Sequence, residues 1–481
     1  MIVASFLGFL ALFLGVGLAS AFKAKKSRTD YYLCDSEVSP WLAGLSAVAT
    51  NNSGYMFIGV IGFTYATGLA AIWLMIGWIL GDYVASIFVH RRLREATART
   101  KEASFAAVLA TWNGEKFAVW RRIAAIIMVI FLGAYAAAQI SAGGKALQGV
   151  LGWDPKFGAV VAAAMILAYS AAGGIRASIW TDAIQSFVML GAMSLLFFVG
   201  VAGRGGIAET IEQMRAVPNF LDWFPQDLLL PGALGMGLFV VGWMFAGLSV
   251  IGQPHVMVRF MALDSPSNMG RARAWYYGYF TLFYALATGV GMLSRLYLPE
   301  LGGVDPELAL PTMALELLPA VFVGMILAGV FAATMSTADS LVLSCSAAIT
   351  HDLMPERQEK SWKLKSATAA VTLFALAIAV SENRSVFNLV ILAWSTLASA
   401  FAPLLIVYAA NRRIPELGAL ISMVTGVGVA LWWRRMGWQA DIYEGMPGIL
   451  SGLAVAWLFS KSARSIELKT SLSDAKPEAA E

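Results

Sequence analysis

Thirteen apolar stretches follow one another along this chain, near residues 2–21, 40–68, 70–90, 123–148, 157–172, 176–203, 231–253, 274–296, 313–347, 364–382, 386–411, 416–434 and 444–460. A helix needs about 20 such residues to cross the hydrocarbon of a bilayer. No water is available there to backbone amides and carbonyls, so each stretch must satisfy its own hydrogen bonds as a helix. With 59% hydrophobic and only 13% charged residues, a soluble globular domain is excluded. The expectation is an all-α integral membrane protein with about 13 transmembrane helices.

Thirteen spans with the amino terminus outside place the carboxy terminus in the cytoplasm, and lysine and arginine should then collect in the inner loops. Of the 34 lysines and arginines, 26 fall in loops this topology places inside, chiefly 23–28, 91–122, 259–273 and 357–365. Arg434 and Arg435 are the external pair that runs against the pattern. These anchoring loops explain the net charge of +4, so nucleic acid need not be invoked. The first span, followed by Lys23, Lys25 and Lys26, reads as retained. Cys34, in a predicted inner loop, and Cys345, near an inner helix end, are not expected to pair in a reducing compartment. The acidic tail is expected to be disordered.

The second span is interrupted by Ala49-Thr50-Asn51-Asn52-Ser53-Gly54-Tyr55. Asparagine, serine and glycine are poor helix formers whose side chains compete for backbone hydrogen bonds, so the helix should unwind there. Irregular backbone at membrane depth survives where protein or a water-filled cavity satisfies it, and transporters use it to hold ions and solutes. A second interruption, Val250-Ile251-Gly252-Gln253-Pro254-His255, breaks the seventh span, because proline removes a ladder bond. Spans two to six and seven to eleven are two five-span units running in opposite senses. Broken helices at matching places in inverted halves point to a transporter's binding site.

Span nine carries Ser336, Thr337, Asp339 and Ser340. Four oxygen-bearing side chains in five residues suit a hard monovalent cation, completed by carbonyls freed at Ala49 and Asn52. Asp182 lies within span six, where a carboxylate costs about 2.5–3.5 kcal/mol on insertion scales and needs a partner or a cation. Asp182, Asp339 and Ser340 are candidates for a second cation, against a structural role for Asp182 in bonding helix ends. Tyr135 and Gln139 share a helical face. With Asn51, Ser53, Gly54, Tyr55, Gln253 and Trp394 they are the candidate solute-binding residues, the alternative being bonds to neighbouring helices. The three histidines, His90, His255 and His351, are placed near inner helix ends and are too scattered for a metal site. An amphipathic interfacial helix is expected around Phe105–Leu109.

Several of these segments together resemble the sodium:solute symporter family, most nearly its sodium/proline branch. They are Leu45-Ser46-Ala47 leading to Ser53-Gly54, Gly173-Gly174 with Trp180-Thr181-Asp182, and Gly252-Gln253-Pro254-His255 with Arg259-Phe260-Met261-Ala262. Met335 to Ser340 with Ser346 to Thr350, and Asn388-Leu389-Val390 with Ala393-Trp394, complete the set. The resemblance implies the thirteen-helix form of the five-plus-five inverted-repeat (LeuT-type) fold and sodium-driven uptake. It implies a sodium site from the carbonyls of Ala49, Asn52 and Ala333 and the hydroxyls of Ser336 and Thr337. Where proline carriers have an aspartate in the first broken helix this chain has Asn51, and Ala246 and Val250 stand at aromatic positions, so a less acidic, differently shaped pocket is expected.

The expected organisation is a peripheral first helix and loop (1–38), two five-helix repeats (39–203 and 204–411), two peripheral helices (412–460) and a polar tail (461–481). The expected function is sodium-coupled import of a small polar solute, a proline-like amino acid or a carboxylate. Sodium is the coupling ion, no cofactor is implied, and the partners are the solute, sodium and the lipid bilayer, with no obligatory protein partner. A transporter-like solute sensor and a proton-coupled carrier are the alternatives. With no nucleophile and base sharing a helix, an enzyme is not expected.

Overall fold

The computed structural model describes residues 1–21, 28–170, 174–228, 230–299, 305–354, 361–381 and 385–462. The acidic tail and the Ala171-Ala172-Gly173 turn lie outside them. The first half holds α1 (Ile2–Ala21), the short α2 (Arg28–Leu33), α3 (Pro40–Gly54), α4 (Val60–Thr67), α5 (Ile72–Thr100), α6 (Phe105–Thr111), α7 (Ala118–Leu151), α8 (Pro155–Ser170) and α9 (Ile175–Gly203). An amphipathic turn, α10 (Ile207–Arg215), leads to the second half: α11 (Gly232–Leu248), α12 (Pro254–Met261), α13 (Met269–Tyr297), α14 (Ala309–Leu317), α15 (Ala320–Ala347), α16 (Ser361–Ser381) and α17 (Val386–Ala409). The last two helices are α18 (Glu416–Arg435) and α19 (Gly445–Phe459).

Helices account for most of the described part of each apolar stretch, the ninth being divided at Leu318-Pro319 between α14 and α15. Among the described residues, 8 helical runs are long and apolar enough to cross a membrane, counting Pro40–Thr100 as one run of 61 residues, and three shorter apolar helices accompany them. The core is built around α15, which packs on α7, α9, α3 and α1. The segment from Phe331 to Leu341 is buried on every side, so its polar side chains face protein and not lipid. By contrast α1, α18 and α19 leave Leu7, Leu14, Val424 and Leu458 exposed for lipid to cover.

Both expected interruptions are present, and each is narrower than its sequence. In the first, only Ser53 leaves helical geometry, with φ 50° and ψ 179°, and a π turn over Tyr55–Gly59 carries the chain into α4. Ala49 to Asn52 stay helical, and the Asn52 carbonyl accepts from the Tyr55 amide. In the second, a 3-10 turn over Ser249–Gly252 meets an extended Gln253 before Pro254 opens α12.

The segment Phe105–Leu109 departs from expectation. It is helical but buried throughout, with the Phe105 ring edge-on to Phe401 and Ser104 capping its first turn through the Ala107 amide. It is therefore a packed element and not an interfacial one: it packs on α7, α12 and α5, with Phe105 reaching α17. The external arginine that ran against the charge pattern also has a partner. Arg434 bonds the buried Glu444 at 2.6 Å and the Asn388 carbonyl at 3.1 Å, so it serves as a local counter-ion.

Candidate transport site

The first break is held by side chains that take up the amides it frees. The Gly54 amide donates to Gln139 Oε1 at 2.9 Å, and the Tyr55 amide to Ser53 Oγ at 3.1 Å, which also accepts from the Tyr135 hydroxyl at 3.2 Å. Tyr135 and Gln139, one turn apart on α7, thus both reach the break as their spacing suggested. A Cβ on residue 54 would lie 2.6 Å from the Thr334 methyl and 2.8 Å from the Ala142 methyl, so only glycine brings α3, α7 and α15 this close.

On the other side of α3 lie the α15 hydroxyls. Thr337 Oγ1 donates to the Thr50 carbonyl at 2.9 Å, and Thr50 Oγ1 lies 3.3 Å from Ser340 Oγ. Ser336 Oγ and both side-chain polar atoms of Asn52 are buried without a hydrogen-bond partner among the described residues. Buried polar atoms are almost always satisfied, so each of these calls for a partner.

Sequence reasoning missed Arg259. Its guanidinium, 1% exposed, bonds Ser178 Oγ at 3.0 Å and Ser46 Oγ at 3.3 Å, donates to Ser340 Oγ and sits 3.4 Å from Asp182 Oδ2. Ser46 also donates to Asp182 at 2.5 Å. Asp182 and Ser340 were grouped with Asp339 as a second cation site, and the structure places a fixed cation on two of the three. The carboxylate needed a counter-charge, and the chain supplies it from α12. An arginine after a proline-broken helix was the available signal, obscured by its counting among the inner-loop charges.

The second break is joined to α17. Gln253 Nε2 donates to the Trp394 carbonyl at 2.8 Å, and Trp394 Nε1 donates to the Ala246 carbonyl at 2.9 Å. Gln253 Oε1 is left without a partner. His255 lies here and not at an inner helix end: its ring meets Tyr135 edge-on at 5.3 Å and Trp394 at 6.2 Å, and neither nitrogen is hydrogen-bonded to any described residue. Tyr55 packs on Trp78 and Phe387, its hydroxyl also unpartnered. Aromatic rings and neutral polar atoms therefore pack between the breaks. Asn51 stands apart from this set, since its amide donates to the Tyr276 hydroxyl at 2.5 Å, toward α13. Among the described residues no group of histidine, cysteine, aspartate and glutamate could hold a metal.

Two interrupted helices, each closed by side chains from other helices and meeting beside a hydroxyl-bearing core helix, define a secondary transporter. The chain belongs to the sodium:solute symporter family, whose model matches residues 31–426. It is 28% identical over 451 residues to the high-affinity proline transporter PutP of Bacillus subtilis, covering 92% of this chain and 94% of that one. It is 30% identical to the sodium/proline symporter of Salmonella typhimurium, covering 92% and 89%. Its fold matches a Na+-coupled sialic acid symporter, solved substrate-bound and outward-open, with a TM-score of 0.79 at 20% identity over 96% of this chain and 98% of that one. The fold is thus the LeuT type, and the function is sodium-coupled import of a solute.

Proposed function

We propose that the imported solute is a small polar amino acid or carboxylate, bound between the two broken helices by Ser53, Gly54, Tyr55, Tyr135, Gln139, Gln253 and Trp394. Asn51 acts from outside this pocket. His255 joins the set, because its ring lies edge-on to Tyr135 and Trp394 and neither nitrogen has a hydrogen-bond partner among the described residues. Sodium would sit between α3 and α15, on the carbonyls of Ala49, Asn52 and Ala333 and the hydroxyls of Ser336 and Thr337. The observation that carries this reading is that the Ser336 hydroxyl, which lies beside Asp182, and the Asn52 side chain at the helix break are both buried without a hydrogen-bond partner among the described residues. A monovalent cation satisfies such oxygens, and Thr337 can keep donating to Thr50 while its lone pairs face the ion. Arg259 balances Asp182, so that carboxylate need not draw a second ion.

The thirteen-span topology with an external amino terminus fits the same reading, with repeats at 39–203 and 204–411 and peripheral helices at 1–38 and 412–460. Sodium binding ties α3 to α15, solute then draws the two breaks together, and rocking of the helix bundle opens the inner side. The membrane potential adds about 2.3 kcal/mol per charge per 100 mV to this cycle. The test is uptake of a radiolabelled panel of amino acids and carboxylates into proteoliposomes with and without an inward sodium gradient. One solute should accumulate only with sodium, and Ser336→Ala should weaken apparent sodium affinity by about ten-fold or more, the worth of one bond to a charged group. Equal uptake without sodium, or an unaltered variant, would refute the site.

A further inference from the structure

Asp82 lies in the middle of α5, wholly buried, and the sodium and solute sites make no use of it. Its two oxygens each accept from a tyrosine of α13: Oδ2 from Tyr276 at 2.7 Å and Oδ1 from Tyr277 at 2.8 Å. Tyr276 in turn accepts from Asn51, which neighbours Asn52 and Ser53 at the first break. Among the described residues no lysine, arginine or histidine forms an ion pair with Asp82. The groups that face it are those two tyrosines, with Arg273 of α13 acting on Tyr277. Of the other helices packed on α5, α11 and α6 carry no titratable residue, and the Tyr408 of α17 lies far along that helix. α12 carries His255 and Arg259, both committed elsewhere. On α5 itself come Tyr83, which meets Tyr277, and then His90 and Arg94.

An uncompensated carboxylate at this depth is costly, and ionisable residues held so are a hallmark of proton relays. We propose that Asp82 is a proton-binding site wired to the first break through Tyr276 and Asn51. A proton taken up on Oδ2 turns that oxygen from acceptor to donor. Tyr276 must then accept from Asp82, and its own hydrogen needs a new acceptor. The Asn51 amide supplies one by turning its oxygen toward the phenol, so protonation rewrites the bonds of the residue next to Asn52. Protons reach the site along one face of α5. Ser86 and His90 follow Asp82 at four-residue spacing, both fully buried, and neither His90 nitrogen has a hydrogen-bond partner. At about 1.5 Å per residue His90 lies roughly 12 Å from Asp82, and one turn further Arg94 lines an open pocket with Asp35 and Thr97.

The test is infrared difference spectroscopy of the full chain in lipid vesicles as the medium is taken from acid to alkaline, in sodium chloride and in choline chloride. The expected result is a protonated-carboxyl C=O band that is lost in Asp82→Asn and shifted in Tyr277→Phe, which keeps the acid and removes one hydrogen bond. Sodium should move the pH at which the band disappears, since linkage between sites is reciprocal. Tyr276→Phe, which cuts the wire, should keep the band and lose the sodium effect. Carboxyl bands unchanged in both Asp82→Asn and Tyr277→Phe overturn the proton site; if Asp82→Asn does not fold, Tyr277→Phe alone decides. Radiolabelled sodium binding measured in parallel separates the two readings. Absent binding sinks the sodium site, whereas intact binding with an unmoved band sinks the linkage.

Discussion

At the scale of the residue, the chemistry turns on groups that burial makes expensive. Asp182 and Arg259 are both within 1% of complete burial, so removing one leaves the other uncompensated. Arg259→Gln should cost about 3–5 kcal/mol, the usual result of breaking one side of a buried pair. Asp182→Asn with Arg259→Gln should cost clearly less than the two single changes summed, and thermal unfolding in one detergent measures this coupling. Burial acts differently on Cys34, whose thiol is pushed up from 9.0 to about 12. The thiolate is the nucleophile, so iodoacetamide should leave Cys34 untouched at neutral pH and modify it only in strongly alkaline medium or after unfolding. Mass spectrometry across a pH series checks it, and fast neutral labelling would show the site to be open. The sequence disclosed Asp182 as a carboxylate in need of a partner, and Tyr135 and Gln139 as a pair on one face. It could not disclose that Arg259, 77 residues away, is the partner, or that Asn51 turns toward Tyr276. Those contacts depend on how helices rotate against one another, which periodicity leaves free.

At the scale of the element, the order and extent of the helices were legible because lipid permits little else, and both breaks were legible because proline, glycine and asparagine have local effects. The packing between helices was less so. α5 and α11 approach through Gly77, Gly81 and Gly247, where a Cβ on Gly81 would sit 1.8 Å from the Met244 carbonyl oxygen and one on Gly247 1.9 Å from that of Trp78. Small residues four apart are how membrane helices bring their backbones together. This contact seats Trp78 of α5 against Trp394 and Tyr55, and so shapes the space between the breaks. Gly81→Val and Gly247→Val should each sharply reduce the yield of folded protein, whereas Gly237→Ala, with nothing within 4 Å of its added carbon, should be neutral. Size-exclusion profiles of the three variants decide it. A monodisperse Gly81→Val protein at normal yield would mean that the two helices have room to part. Phe105–Leu109 teaches the converse: its composition suited an interface, but α7, α12 and α5 pack on it, and only tertiary contacts reveal that.

At the scale of the whole molecule, the two ends of the transport path differ. On the side that the charge pattern assigns to the cytoplasm, a narrow cleft bordered by Tyr32, Ser104, Pro254 and Ser344 leads to Arg259 and Ser340. Among the described residues, aromatic rings close the opposite side. Phe63 stacks on Phe387 with centroids 4.7 Å apart, and Trp243 meets the same ring edge-on. Above them Glu307 holds three helices together. Its carboxylate accepts from the Val386 and Phe387 amides at 2.9 Å, where the positive end of α17 favours a negative charge, and from Lys145 of α7 at 2.5 Å. Its backbone leaves no room for a Cβ on Gly62 of α4. Asp305 completes the group, 2.5 Å from the same lysine. In the cycle proposed above, an outward-open state parts α17 from α7 here, so the strength of these bonds helps set the balance between the two orientations. Glu307→Gln removes a charge-assisted bond worth about 1.5–3 kcal/mol, which is about ten-fold to a hundred-fold in that balance. In a Cys34→Ser, Cys345→Ser background, Ile391→Cys, buried one turn beyond Phe387 on α17, should react slowly with an impermeant maleimide added outside, and adding Glu307→Gln should raise that rate by about ten-fold or more. Lys145→Met should act in the same direction, because it leaves the two carboxylates to repel one another. If both variants fold and take up solute while the labelling rate stays unchanged, Glu307 only caps α17, and the aromatic stack alone closes the path.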